Sequence, residues 1–194
     1  YRLPISKSLE NNQVVPLQDA QRAMRLTRYM AKNWNIDDNK IGIIGFSAGG
    51  HLASTLGTHF DDEVYKYVDG ADLLSARPDY MALVYPVISF SDSSVHSGSK
   101  KALLGDEPDN ESITYFSNEL QVSENTPPTI LFHAADDKAV PPENSLLFFR
   151  ALNQKGVPAE LHIYPEGGHG FSLATKNQSL SRWTQHLYEW TLQF

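Results

Sequence analysis

Apolar residues in this chain follow two rhythms, and the rhythms alternate. From Leu17 to Trp34 the pattern falls at Ala20, Ala23, Met24, Thr27, Met30 and Trp34, spacings of three and four that predict an amphipathic helix. The cluster Asn35-Ile36-Asp37-Asp38-Asn39 then predicts a turn. Ile41 to Phe46 is a short apolar run of the kind a buried strand shows, and a second helix is expected from about Gly49 to Thr58. His59 to Pro78 is charged and irregular. Tyr80–Val87 and Thr129–Ala134 read as further buried strands, and Ala159–Tyr164 as a strand with alternating pattern. Glu143–Gln154 reads as a helix entered through Pro141-Pro142, with Gly156 just past its end. A last helix is expected over Leu173–Thr191, with Leu180, Trp183, Leu187 and Trp190 on one face; the tryptophans suit core packing better than sugar stacking.

Two stretches lack a clear period. Tyr1-Arg2-Leu3-Pro4 reads as a strand end entering a polar loop that runs to about Pro16. Ser89 to Asn125 is rich in Ser, Asp, Asn and Gly and is expected to be an irregular insertion, at about residues 89–126, lying over the sheet. Its expected use is open between lining a substrate pocket and being a surface excursion. Strands alternating with helices predict an α/β fold, a mostly parallel sheet with helices on both faces.

Composition adds limits. A chain of 194 residues is one domain or most of one. Its net charge of −7, with no basic block, disfavours a nucleic-acid partner. The lack of cysteine excludes disulfides, thiolate catalysis and Cys-based zinc sites, and leaves the compartment open. No apolar run reaches the roughly 18 residues that span a bilayer. No His-x-x-x-His or His-x-His spacing suggests a metal, and no cofactor motif is present.

The chemistry concentrates at Gly45-Phe46-Ser47-Ala48-Gly49, between the run ending at Phe46 and the helix after it. A Gly-x-Ser-x-Gly between strand and helix is a nucleophile elbow. The turn is tight enough that the positions two away from the serine are expected to need glycine. A serine hydroxyl is a poor nucleophile alone and needs a base, which in turn needs an orienting carboxylate. In open parallel sheets such groups gather at the carboxyl ends of strands. Asp137 follows the Thr129–Ala134 strand and His169 follows Ala159–Tyr164, giving the order Ser, Asp, His. Asp136 competes with Asp137. His51 suits packing near the site, and His133 a satisfied structural role. His59, His96, His162 and His186 have no flanking signal.

These segments resemble the α/β-hydrolases, and more narrowly their acetyl-xylan and carbohydrate esterases. The resemblance rests on Tyr1-Arg2-Leu3-Pro4, Asp19–Ala23, Gly45–Ala53, Tyr85–Ser89, Thr126-Pro127-Pro128, Asp137-x-x-Val140-Pro141 and Gly167–Phe171, and covers nearly the whole chain. It implies Ser47 as nucleophile, His169 as base, Asp137 as orienting acid and the Ala48 N–H as one oxyanion donor. It also implies a small ester as substrate, with acetylated sugars as one class.

One departure stands out. The family's His-Gly-Gly or Gly-Gly-Gly oxyanion loop has no match upstream, so the chain reads as a single truncated domain, 1–194, with its N-terminal strands absent. A strand is then missing beside Ile41–Phe46, and the absence of a visible signal peptide carries little weight. Two rivals remain. A peptidase of the prolyl-oligopeptidase kind shares the elbow, though the short insertion and lack of propeller repeats argue against it. A vestigial, non-catalytic hydrolase would follow from the missing loop.

Overall fold

The computed structural model describes residues 13–194, so the Tyr1–Pro4 reading lies outside the described residues. Four strands form one parallel sheet in the order β1 (Ile43–Phe46), β2 (Met81–Val84), β3 (Thr129–Ala134), β4 (Ala159–Tyr164). Val84 is in register with Phe46 and Phe132, so β1 and β2 end together, while β3 runs two residues further, to Ala134 beside Tyr164. Sequential order with right-handed crossovers sends successive connections over one face. There α2 (Ala48–Thr58) packs on β1 and β2, and α5 (Glu143–Gln154) on β3 and β4. Ala53, Met81, Leu83, Leu131, Phe148 and Leu152 form the core between them. On the opposite face α6 (Trp183–Thr191) buries Trp183 and Trp190 against Ala82, Val84, Ile130 and Phe132. The expectation of helices on both faces therefore holds, and both tryptophans are core.

Helix α1 (Val15–Trp34) starts two residues before the sequence reading. Pro16 explains the start, because its fixed φ suits a first helical turn whose N–H groups lack partners anyway. Its buried face is Leu17, Gln21, Met24 and Ala31, whereas Ala23 and Trp34 are exposed. Gln21 escapes an apolar-only reading because its buried amide donates to the carbonyls of His59 (2.8 Å) and Asp62 (3.0 Å).

Other boundaries moved for local reasons. The strand begins at Ile43 because Ile41 N–H donates to the Asp79 carboxylate (2.7 Å) instead of joining the ladder. Strand β2 stops at Val84 because Tyr85 turns left-handed (φ 39°) and Pro86 has no N–H. The Ser89–Asn125 segment holds no strand, but it is not irregular. It contains α3 (Ser97–Leu104) and α4 (Asn110–Tyr115), too short to show a period. His96 and Asp109 cap them, each side chain accepting a backbone N–H three residues on, at 3.1 and 2.7 Å. Phe90, Leu104 and Phe116 bury with Val87 and Val140.

The last helix starts at Trp183, ten residues later than expected. Ser172 (φ 50°) and Ala174 (φ 49°) are left-handed, which breaks a helix at its start, and Leu173 is exposed. At the far edge of the described sheet, β1 leaves Ile44 46% and Phe46 39% exposed.

Candidate active site

Strand β1 delivers Ser47 to the sheet's carboxyl end, and α2 begins one residue later. Ser47 sits at φ 52°, ψ −120°, a conformation that costs a non-glycine residue strain of order 1–3 kcal/mol. Its backbone is over-determined. Ser47 N–H donates to Val84 C=O (3.0 Å), while its C=O accepts from Gly50 (3.0 Å), His51 (3.2 Å) and Val87 (3.1 Å) N–H groups. The glycine requirement is not the symmetrical one expected. A Cβ on Gly45 would lie 2.7 Å from the carbonyl carbon of Gly49 and 2.8 Å from Ala53 Cβ. A Cβ on Gly49 would meet nothing, whereas one on Gly50 would lie 2.7 Å from Pro86 Cβ. The second close approach belongs to Gly50, where α2 crosses the turn after β2.

The three candidate side chains come together. Ser47 Oγ lies 2.8 Å from His169 Nε2, and His169 Nδ1 lies 2.7 Å from Asp137 Oδ2. Asp137 is 4% exposed; the His169 side chain is 27% exposed and open to solvent above the serine. The other Asp137 oxygen accepts the N–H groups of Ala139 (3.0 Å) and Val140 (2.9 Å). Oδ1 therefore anchors the carboxylate in its turn while Oδ2 faces the imidazole. Asp136 points elsewhere and accepts from Gly167 and Gly168 N–H, both at 2.8 Å, pinning the loop that carries His169. The sequence marks it only as a neighbour of Asp137; two adjacent glycines with unspent N–H groups before the histidine are the one signal that could have found it.

An aromatic floor supports His169. The Tyr85 ring meets it edge-on at 5.1 Å and packs on Phe171 at 4.6 Å. Trp183 donates its indole N–H to Ser172 C=O (2.9 Å), tying the loop to α6. Ala48 is exposed at the first position of α2, where a helix N–H has no intrahelical partner and the helix dipole favours negative charge.

Beneath the elbow, His51 is buried against Phe90 and bonded through Nε2 to Phe116 C=O (2.9 Å). Burial pushes its pKa down to about 4, so it packs as a neutral ring, as its position suggests. Asn118 locks the same helix by donating to His51 C=O (3.1 Å), Ser54 Oγ (2.7 Å) and Thr55 Oγ1 (3.0 Å). A separate cleft of about 500 Å³ runs along Phe171, Leu173, Lys176 and Leu180, and neither Ser47 nor His169 lines it. Among the described residues no group of three His, Asp or Glu side chains is placed to hold a metal, and no helix is long and apolar enough to cross a membrane.

A model described as the prolyl oligopeptidase family matches residues 10–194. The chain belongs to the prolyl oligopeptidase family. Two of its relatives carry esterase and xylanase names. It is 36% identical over 194 residues to an acetylxylan esterase of Xylanibacter ruminicola, covering 98% of this chain and 37% of that protein. It is 43% identical over 169 residues to endo-1,4-beta-xylanase B of Butyrivibrio fibrisolvens, covering 87% of this chain and 26% of that protein. The chain thus spans well under half the length of both relatives. Among solved structures, the acetyl ester-xyloside bifunctional hydrolase from Caldicellulosiruptor lactoaceticus superposes with a TM-score of 0.88 at 50% identity, over 98% of this chain and 68% of that one. The α/β-hydrolase fold and the likeness to carbohydrate esterases are both borne out.

Proposed function

We propose that this member of the prolyl oligopeptidase family is a serine carboxylic-ester hydrolase acting on short acyl esters, acetylated sugars among them. Ser47 is the nucleophile, His169 the base and Asp137 the orienting acid. The observation that carries this reading is the pair of short contacts, 2.8 Å from Ser47 Oγ to His169 Nε2 and 2.7 Å from His169 Nδ1 to Asp137 Oδ2. The names of the relatives support the acetyl-sugar class.

In the reaction, Ser47 Oγ bonds to the ester carbonyl carbon as its proton passes to His169 Nε2. The carbonyl oxygen becomes an oxyanion, and the Ala48 N–H donates to it. The C–O bond to the alcohol breaks, His169 returns its proton to the departing oxygen, and an acyl-Ser47 remains. Water, deprotonated by His169, adds to the acyl carbon. The Ser47–acyl bond then breaks, Ser47 recovers the proton, and the free acid leaves. Asp137 Oδ2 accepts from Nδ1–H and so fixes Nδ1 as the protonated nitrogen, leaving the Nε2 lone pair for Ser47.

The family's name keeps a peptidase reading in view, with the same three residues attacking an amide. A fluorophosphonate probe tests the shared machinery, and substrates separate the readings. Labelling that disappears in Ser47→Ala, with turnover of p-nitrophenyl acetate and none of an aminoacyl p-nitroanilide, is the expected result. Turnover of the anilide in preference would favour the peptidase, and an unlabelled Ser47 would make the fold a non-catalytic one.

A further inference from the structure

We infer that His133, a histidine outside the Ser47–His169–Asp137 set, is a positioning residue that shares the Asp137 carboxylate with His169. The inference rests on the catalytic roles proposed above. His133 lies on the face of β3 turned toward α5 and is fully buried. Its Nδ1 is 2.8 Å from Ser145 Oγ on α5, and its Nε2 is 2.9 Å from Val140 C=O. The same Nε2 is 3.3 Å from Asp137 Oδ2, the oxygen that faces His169.

These contacts fix the tautomer. A carbonyl oxygen only accepts, so Nε2 must carry the hydrogen. Burial, the largest influence, pushes the His133 imidazole below its usual range, so the ring is neutral near pH 7 and Nδ1 is a lone pair. Ser145 O–H donates to that lone pair. The Nε2–H is then divided between Val140 C=O and Asp137 Oδ2. Oδ2 accepts from two imidazoles, a strong contact to His169 and a longer one to His133, while Oδ1 accepts two backbone N–H groups. Four donors leave the carboxylate no freedom to rotate about its Cβ–Cγ bond.

A second donor does more than hold the carboxylate still. Each hydrogen bond to Oδ2 withdraws electron density from it and weakens its pull on the His169 Nδ1 proton. Without His133 N–H, Oδ2 would bind that proton more tightly and favour protonated His169, which cannot act as a base. The titratable groups that face His169 are Asp137 from the β3 loop, Tyr85 from the end of β2, and His133 beyond the carboxylate; Asp136 lies under its loop but is bonded to backbone. Among the described residues, His133 is the second imidazole that reaches Oδ2.

Two measurements test the inference. In the wild-type protein, ring-nitrogen NMR of His133 should show the neutral Nε2–H tautomer from pH 6 to 8. An Nδ1–H tautomer would overturn it, since Nε2 could not then donate. The second compares His133→Leu, which removes the N–H, with His133→Gln, whose amide N–H can stand near Nε2. In His133→Leu the His169 Nδ1 proton resonance should move downfield. The acid limb of the pH profile for fluorophosphonate labelling should move up by about half a pH unit, with labelling at pH 7 slowed by up to about threefold. His133→Gln should restore both toward wild type. A purely structural histidine would give a slower protein with the limb and the resonance unmoved, and that result would also overturn the inference. If the wild-type protein takes no label, the catalytic roles fall, and the nitrogen spectrum and Nδ1 resonance decide the His133 contact by themselves.

Discussion

Asp136 and Asp137 are neighbours with different work. Asp137 is buried and turned toward His169, whereas Asp136 is exposed and turned toward two glycine N–H groups on the His169 loop. The two should therefore fail differently. Asp137→Asn keeps the shape but offers an amide where an anion is needed, so His169 loses its tautomer control and its charge partner. Turnover of p-nitrophenyl acetate should fall by about 10³–10⁴-fold, with a loss of stability of about 1–3 kcal/mol because the amide N–H₂ meets imidazole N–H groups. Asp136→Ala removes two exposed hydrogen bonds and loosens the loop. It should cost about 1 kcal/mol of stability and roughly tenfold in turnover, through a mispositioned rather than disabled base. Steady-state kinetics with urea unfolding of both variants checks the contrast. Equal losses from the two would show that the adjacent carboxylates do not divide their roles in this way.

The elbow ties two elements together, and its glycines are not equivalent. Gly45 lies where β1 passes under α2, so a methyl group there drives into Gly49 backbone and Ala53. Backbone cannot move aside as a side-chain tip can, so Gly45→Ala should destabilise by about 1–3 kcal/mol and displace Ser47 enough to abolish labelling. Gly49 lies one turn further in open space. Gly49→Ala should leave labelling intact and stabilise α2 by up to about 1 kcal/mol. Thermal unfolding and probe labelling of the pair check this, and a damaging Gly49→Ala would contradict the open space at that position. The same elements show what a sequence can carry. The spans of β3, α5 and β4 are legible to the residue, because each has a run long enough for its period and a proline or glycine at its margin. The Ser–Asp–His order is legible because each residue follows a strand. Helices α3 and α4 are not, since six or eight residues hold too few turns for an apolar face. Neither is the late start of α6, because left-handed serine and alanine leave no mark that glycine would. The Gly50–Pro86 contact and the meeting of His169 with Asp137 depend on partners dozens of residues away, beyond any local pattern.

At the scale of the whole molecule, neutral buried histidines make stability depend on pH in one direction. Burial lowers the pKa of His51 to about 4 and moves His59 and His133 the same way. In the unfolded chain a histidine takes up its proton near 6.5. Between those limits the unfolded state binds more protons than the folded one, so stability falls as pH falls. The histidine contribution is complete above about pH 6.5, declines below it, and for His51 is gone by about pH 4. For His51 alone this amounts to about 2 kcal/mol by pH 5. Asp69 and Asp109, held below the usual carboxylate range by the Arg22 guanidinium and by Ser112 N–H respectively, lose their share only at lower pH, so the two effects separate. The urea midpoint should therefore drop between pH 7.5 and pH 5. His51→Gln, whose amide can still donate to Phe116 C=O, should flatten that slope by removing the titrating ring. An unchanged slope in His51→Gln would mean that His51 accepts its proton without unfolding, and that the ring beneath the elbow is less sealed from water than its packing against Phe90 requires.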